Sequence, residues 1–232
     1  MSIAGPEAPR PGAERLLLPG PAGDIETLVE SPASPPRAVA ICCHPHPLYG
    51  GTMTNKVIHT VARSFVAAGA VTVRFNFRGV GASAGVHDDG RGETEDVLTI
   101  VEWARSRWPG LPLWLGGFSF GAWVVLRAQS ASADVRERLQ PALLVVVAPP
   151  VGRWDFSAIA APVCPWLVIQ GTRDELVDAE EVGRWTEALD GSRGLAHLAR
   201  FAEADHFFHA RLHELRDAVV GFVAEVDQRR SM

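Results

Sequence analysis

From Ala38 onward, short apolar runs alternate with longer segments of helical periodicity. The apolar runs are residues 38–43, 71–75, 113–118, 142–148, 166–170 and 196–201. Such alternation is typical of a parallel sheet with helices on both faces, because parallel strands need long crossover connections. It predicts an α/β fold with a mostly parallel, twisted sheet of about seven or eight strands.

The segments between these runs carry apolar residues at the spacing of an amphipathic helix. They are "NKVIHTVARSFVAAG", "ETEDVLTIVEWARSRW", "GAWVVLRAQSA", "AEEVGRWTEAL" and, near the C-terminus, "HARLHELRDAVVGFVAEVDQ". Gly69 closes the first of them and is predicted to cap it. Apolar side chains of the last one leave two alternatives open, packing on the sheet or a homodimer interface.

The start of the chain has a different pattern. Residues 1–14 are rich in Pro, Gly and Ala without periodicity, which predicts a flexible tail. "ERLLL" and "DIETLVE" flank the turn "PGPAG" and predict an N-terminal β-hairpin. With 232 residues, of which 47% are hydrophobic, we expect residues 15–232 to form a single domain.

Charge and cysteine content exclude several function classes. The formal net charge is −5, and neither sign gathers into a long run, which argues against nucleic acid or a membrane surface as the partner. No apolar stretch is long enough for a signal peptide or a spanning helix, so a cytoplasmic protein is expected. Cys42, Cys43 and Cys164 lack CxxC spacing and are predicted to be buried thiols, with a reactive Cys43 as the alternative.

One serine lies where an apolar run stops, in "LWLGGFSFGAW". Because the following segment is already helical in pattern, Ser119 is predicted to lie in a sharp strand-to-helix turn. Gly117 and Gly121 fit the close backbone approach that such a turn requires. The helix N-terminus favours developing negative charge, so the Phe120 N–H is the natural first donor of an oxyanion hole.

A serine nucleophile needs a base, and the base needs an acid that orients it. "GFSFG" matches Gly-x-Ser-x-Gly and resembles the nucleophile turn of the α/β-hydrolase superfamily, in which acid and His follow the serine. "QGTRDELVD" offers Asp174, Glu175 and Asp178, and similarity to the superfamily's "G-x-x-D" favours Asp174. His206 lies in a segment similar to its "A-D-H". The resemblance therefore implies a triad of Ser119, Asp174 and His206.

The second oxyanion donor is expected in "HPHPLYGGTMTN", after the first parallel strand. Pro45 and Pro47 have no N–H, which leaves the backbone of His46 or Leu48.

Two histidine pairs raise the alternative of a metal site. They are His44 with His46, and His209 with His213. No HExxH occurs and no carboxylate stands at ligand spacing with the second pair, so neither a metal nor another cofactor is predicted.

Further segments extend the resemblance from about Val39 to His206. "HPHPLYGGTMTNKV", "RFNFRGVGASAG", "GRGETEDV" and "GGFSFGAW" together are similar to a subgroup of small bacterial α/β-hydrolases. Many relatives carry Asp where this chain has Asn76. Glu93 and Asp96 raise the alternative of a paired acid and base, but the helix dipole alone explains acidic residues in the first turn of a helix and is the preferred interpretation.

Only "VGRWDFSAIAAPVC" occupies the place where many relatives insert a lid, so no cap domain and an open site are predicted. The expected substrate-binding side chains are Tyr49, Asn76, Phe118, Trp154 and Phe207, with Leu48, Phe120 and Phe208 as further wall residues. Trp154 and Phe156 are equally well explained as packing residues. Mostly apolar walls suit small or medium acyl groups.

These features predict a serine hydrolase that cleaves carboxylic esters through an acyl-enzyme. The small-molecule substrate could equally be a thioester or an amide, or the acyl group could pass to an acceptor other than water. A noncatalytic binding protein with the hydrolase fold is the alternative from another class.

Overall fold

The computed structural model describes residues 12–231, and its strands and helices follow the predicted alternation. The strands are β1 (Ala13–Gly20), β2 (Gly23–Glu30), β3 (Ala38–Cys43), β4 (Ala70–Phe75), β5 (Leu113–Phe118), β6 (Leu143–Val147), β7 (Trp166–Gly171) and β8 (Ala196–Phe201). The α-helices are α1 (Lys56–Ala67), α2 (Arg91–Arg107), α3 (Phe120–Ser130), α4 (Ala133–Leu139), α5 (Ala179–Asp190) and α6 (Leu212–Ser231).

The strands form one sheet in the order β1-β2-β4-β3-β5-β6-β7-β8. β1 pairs with β2 and β2 with β4 in antiparallel fashion, whereas every pair from β4 to β8 is parallel. The chain moves outward from β3 to β4 and then crosses to β5 on the other side of β3. Loops that follow β3 and β5 therefore meet at the carboxyl edge, where open α/β sheets bind ligands.

Each face of the sheet carries its own apolar core. Along β3, Val39, Ile41 and Cys43 pack on the face covered by α2, α3 and α5. The alternate residues, Ala40 and Cys42 among them, pack under α1 and α6. The apolar side chains of α6 are used in this packing, since Leu215, Val219, Phe222, Val223 and Val226 are all buried against the sheet.

The three cysteines are free and buried, as the sequence predicts. Cys42 and Cys43 point to opposite faces of β3. Burial raises the pKa of each thiol, to about 12 for Cys164. A raised pKa leaves little thiolate at neutral pH, so the structure argues against the alternative of a reactive Cys43.

The N-terminal hairpin is longer than predicted. Pairing runs from Ala13 opposite Glu30 to Gly20 opposite Gly23, so the turn is only Pro21 and Ala22. Strand β1 thus takes in two residues that the sequence assigns to the flexible tail, and residues 1–11 of that tail lie outside the described residues. Within residues 12–231, no helix is both long and apolar enough to cross a membrane.

A buried ion pair connects the loop after β4 to α2. Asp96 receives hydrogen bonds from the Arg78 backbone N–H at 3.0 Å and from Arg78 Nη2 at 2.8 Å. The helix-dipole explanation is therefore insufficient for Asp96, which lies in the second turn of α2. A role at the helix start does suit Glu93, whose carboxylate accepts hydrogen bonds from the N–H groups of Asp88 and Gly90.

Candidate active site

Ser119 lies between β5 and α3 in the strained turn that the sequence predicts. Its φ of 53° and ψ of −117° are uncommon for a residue with a side chain. The Ser119 N–H donates to the Val147 carbonyl at 2.9 Å, and its carbonyl accepts from Ala122 N at 2.9 Å. These bonds fix the turn between β6 and the first turn of α3, with the hydroxyl at the carboxyl edge of the sheet.

Both glycines of "GFSFG" are needed for steric reasons. A Cβ on Gly121 would overlap the carbonyl oxygens of Cys43 and His44, and one on Gly117 would overlap the backbone of Gly121 and Ala122. Because these neighbours are backbone atoms, no rotamer change relieves the clash. The glycines allow α3 to start directly against the end of β3.

Gly121→Ala is accordingly expected to lower the free energy of unfolding by about 1–3 kcal/mol, the usual cost of overpacking a well-filled site. Gly221→Ala is the matched control. Gly221 lies exposed within α6, and a Cβ there meets nothing within 4 Å. This control should raise stability by about 0.5–1 kcal/mol through helix propensity. Urea unfolding of both variants measures the contrast, and equal effects would contradict the steric argument.

Three side chains from distant loops meet at this turn. His206 Nε2 lies 3.1 Å from Ser119 Oγ, and His206 Nδ1 lies 2.8 Å from Asp174 Oδ2. An ionised carboxylate only accepts hydrogen bonds, so His206 carries its proton on Nδ1 and presents the Nε2 lone pair to the serine hydroxyl. The imidazole and the carboxylate are almost fully buried, whereas Ser119 is partly exposed.

Asp174 is the acid that meets His206, as the sequence favours. Burial opposes ionisation of this carboxyl, but the His206 interaction and the N–H groups of Leu176 and Val177 outweigh it and lower the pKa of Asp174. The other two candidate acids have different partners. Asp178 caps α5 by accepting from two backbone N–H groups, and Glu175 accepts from the His206 backbone N–H at 3.3 Å.

The loop after β3 narrows the choice of the second oxyanion donor. Leu48 N–H already donates to His46 Nδ1 at 3.2 Å, so Leu48, one of the two predicted candidates, is not available. No acceptor in the described chain takes the His46 N–H. The His46 ring lies against the Phe120 ring with a centroid distance of 4.8 Å. The backbone at Gly121 also approaches the carbonyl oxygens of Cys43 and His44 closely, so the start of α3 lies next to the loop after β3.

The comparisons with known proteins show the family of this chain. The sequence model of the family described as serine aminopeptidase, S33, matches residues 34–163, more than half of the chain. The chain belongs to the α/β-hydrolase superfamily.

Solved structures and a curated relative support the same assignment. A crystal structure from Xanthomonas campestris, described as an α/β serine hydrolase without lid, is 42% identical and covers 95% of this chain and 97% of its own, with a TM-score of 0.84. An α/β serine hydrolase homologue from Coxiella burnetii is 39% identical, over 89% and 95% of the two chains, with a TM-score of 0.81. An uncharacterised protein of Rickettsia prowazekii is 32% identical over 218 residues, covering 91% of this chain and 89% of its own. The prediction of a lidless α/β-hydrolase fold is confirmed.

Aromatic rings form one wall beside the serine of this hydrolase. Phe120 is contacted by His46, Trp123, Trp154 and His87, with ring centroids between 4.8 and 5.9 Å apart. Trp154 remains partly exposed while it packs on Trp123 and Phe120. The packing role of Trp154 is therefore observed, and its role in the substrate pocket stays a prediction.

The other predicted wall residues separate into exposed and buried groups. Leu48 and Tyr49 are 70% and 86% exposed, and Phe207 is 40% exposed next to the His206 ring. Phe118 and Phe208 are fully buried, so neither lines an open site. Phe118 instead packs beneath His206, with 5.1 Å between the ring centroids.

Asn76 is a structural residue, contrary to the prediction that it lines the substrate site. Its side chain is nearly buried, with Oδ1 accepting from Met53 N at 2.8 Å and Nδ2 donating to Glu26 Oε2 at 2.7 Å. An aspartate here would place two carboxylates in contact. This explains the departure from the Asp that many relatives carry.

His44 is structural too. Its Nδ1 lies 2.6 Å from the Pro45 carbonyl, and its Nε2 accepts from Phe77 N–H at 3.0 Å. Burial lowers the pKa of His44 to about 4, so the ring is neutral. With both nitrogens engaged, it has no lone pair for a metal ion. Among residues 12–231, no group of three or more His, Cys, Asp or Glu side chains is arranged to hold a metal.

Gln170 belongs to the site and was missed by the sequence analysis. It lies at the buried end of β7, and its Nε2 donates to Asp174 Oδ2 at 3.0 Å, the same oxygen that His206 contacts. A polar residue in the apolar run "WLVIQG" was the available signal, because a buried amide needs a partner at the strand's end.

Proposed function

We propose that this α/β serine hydrolase cleaves carboxylic esters of small or medium acyl groups through an acyl-enzyme on Ser119. The observation that carries the proposal is the continuous path from Ser119 Oγ through His206 to Asp174, at 3.1 and 2.8 Å. Such a path activates a serine hydroxyl that is otherwise a weak nucleophile.

In the first half-reaction Ser119 Oγ attacks the carbonyl carbon as its proton passes to His206 Nε2. The resulting oxyanion accepts hydrogen bonds from the Phe120 and His46 N–H groups. When the tetrahedral intermediate collapses, the bond to the leaving oxygen breaks and His206 returns the proton to that oxygen. Asp174 keeps the imidazole oriented and offsets its transient charge.

In the second half-reaction water attacks the acyl-enzyme. His206 takes a proton from the water and then returns it to Ser119 Oγ, releasing the acid. The open edge beside Tyr49 and Phe207 gives water and substrate direct access to the serine. The free, buried thiols of Cys42, Cys43 and Cys164 fit the reducing cytoplasm, the location that we propose.

A matched substrate panel tests the reaction class. Purified protein is assayed with 4-nitrophenyl esters of two to twelve carbons, the corresponding thioesters and an amino-acid 4-nitroanilide. The last compound is included because the matching family model is described as serine aminopeptidase. We expect turnover of short and medium esters, with Ser119→Ala inactive on all of them. A preference for thioester or anilide would replace the ester assignment, and no turnover by folded protein would favour a binding function.

A further inference from the structure

A cleft of about 560 Å³ begins at Gly50, in the loop that follows β3 and carries His46. Phe207 forms one wall, and the opposite wall is the stretch between Gly50 and the start of α1. The cleft therefore lies between the loop that carries His46 and the loop that carries His206. Its polar lining includes Thr52, Lys56 and His209.

Lys56 is the only lysine in the chain, so every other permanently charged cationic side chain belongs to an arginine. It is exposed, and no carboxylate among residues 12–231 lies within ion-pair distance of its ammonium. Many of the arginines, by contrast, pair with carboxylates, as Arg74 does with Glu30 and Arg200 with Glu180. The cleft thus contains a cation that the fold leaves uncompensated.

The position of Lys56 is also unfavourable for stability. It is the first residue of α1, and this first turn contains no acidic residue. The N-terminal end of a helix is positive, so a cation there is destabilising, typically by about 0.3–1 kcal/mol. Residues that break a local rule without a structural gain are expected at functional sites. A helix-forming role does not explain this lysine.

The chemistry of the proposed reaction decides which part of a substrate meets this cleft. His206 Nε2 returns its proton to the leaving oxygen, so the leaving group must lie on the His206 side of Ser119. Phe207, next in the chain, has its ring 5.1 Å from the His206 ring and lines the cleft. The cleft is consequently the continuation of the leaving-group side.

We infer that this cleft binds the alcohol or thiol half of the substrate and that Lys56 recognises an anionic group on it, a carboxylate or a phosphate. The inference rests on the proposed function. On the opposite wall, His209 is paired with Asp205, whose carboxylate accepts the His209 backbone N–H at 3.0 Å and lies 2.7 Å from His209 Nδ1. Thr52 and Thr54 add two hydroxyls to the lining of the same cleft, 2.9 Å from each other.

The test compares substrates with one acyl group and different leaving groups. They are 4-acetoxybenzoate, 4-acetoxyphenyl phosphate and the neutral methyl 4-acetoxybenzoate. Lys56→Gln is expected to lower kcat/KM for an anionic substrate about 3- to 10-fold, as for a partly exposed ion pair, and to change the neutral ester less than twofold. Lys56→Arg should retain most of the anionic preference. The substrate that loses more identifies a carboxylate or a phosphate as the better ligand.

Two controls keep the result interpretable. Arg229→Gln removes a positive charge at the far end of α6 and should leave all three substrates unchanged. Acetylation of the wild type with an amine-selective reagent modifies only Lys56 and the N-terminal amine, and should reproduce Lys56→Gln. Acetylated Lys56→Arg reports the N-terminal contribution.

Equal losses on neutral and anionic esters, or no loss on either, would overturn the inference while leaving the ester hydrolase intact. If none of the three esters is cleaved by folded wild type, the proposed function itself fails. In that event, direct binding of 4-hydroxybenzoate, measured by calorimetry, should still weaken in Lys56→Gln if the anion site is correct. Equal binding by the two proteins would overturn it.

Discussion

His206→Ala is expected to lower kcat for ester hydrolysis by roughly 10⁴- to 10⁶-fold, the range found when the base of such a triad is removed. Without the imidazole, the Ser119 proton has no acceptor, because Asp174 reaches the serine only through His206. The leaving oxygen also loses its proton donor. Residual turnover then depends on binding and on the oxyanion donors alone. Steady-state kinetics on the best ester of the panel measures the loss.

The matched control is His213→Ala. His213 is exposed on α6, seven residues further along, and should leave kcat within about twofold because surface substitutions away from a site have small effects. Thermal unfolding of both variants separates chemistry from folding. Retention of more than about a tenth of wild-type kcat by folded His206→Ala would mean that another group acts as the base.

Asp96→Ala is expected to have the largest effect on stability, lowering the free energy of unfolding by about 3–5 kcal/mol. The Asp96 side chain is 1% exposed and that of Arg78 is 10% exposed, so the ion pair is shielded from water. Removing the carboxylate leaves the Arg78 N–H without its acceptor and the guanidinium with only the exposed carboxylate of Glu95, 3.3 Å away. A buried charge that loses its main partner costs far more than an intact pair contributes.

A double-mutant cycle tests this explanation. The cycle consists of Arg78→Met, Asp96→Leu and the double variant. The double variant removes both charges and keeps most of the volume, so it should be markedly more stable than Asp96→Leu alone. Urea unfolding of the three variants and the wild type gives the coupling free energy. Additive losses would show that the two side chains do not depend on each other.

The sequence predicts the central parallel strands closely because they are buried on both faces. The runs at 38–43 and 113–118 coincide with β3 and β5 at both ends, and every residue of the two strands is buried. The run at 196–201 coincides with β8, an edge strand that is only partly buried. The helix α4, by contrast, is short and charged, and it was missed because Val135 and Leu139, four residues apart, are too few apolar positions to reveal a helical period.

The strand-to-helix turn could also be predicted, because the two glycines of "GFSFG" stand at the positions where the backbone around Ser119 leaves no room for a Cβ. The predicted acid and base also come together at it. What the sequence could not supply is the partner of a polar side chain across the fold. Asn76 was assigned to the site although Glu26 and Met53 occupy its amide, and Gln170 was missed although it supports Asp174. The contacts of Asn76 join positions 23 and 50 residues apart in sequence, and no local pattern reports them. Gln170 and Asp174 are only four residues apart, so the polar residue at the end of an apolar strand was the signal that the prediction did not use.

Leu48 illustrates the same limit at the oxyanion loop. Proline positions excluded two N–H groups, but the choice between the remaining two depended on the His46 ring turning back to accept the Leu48 N–H. A side-chain cap of this kind is a rotamer choice, set by the packing of His46 on Phe120 and Trp154.

Reaction with a fluorophosphonate probe, followed by mass spectrometry of the labelled peptide, tests most directly whether Ser119 is an activated nucleophile. The account predicts one phosphonylated residue, Ser119, in the wild type, with labelling abolished in Ser119→Ala and strongly slowed in folded His206→Ala. Labelling at another residue, or at Ser119 with equal speed in the His206 variant, would contradict it.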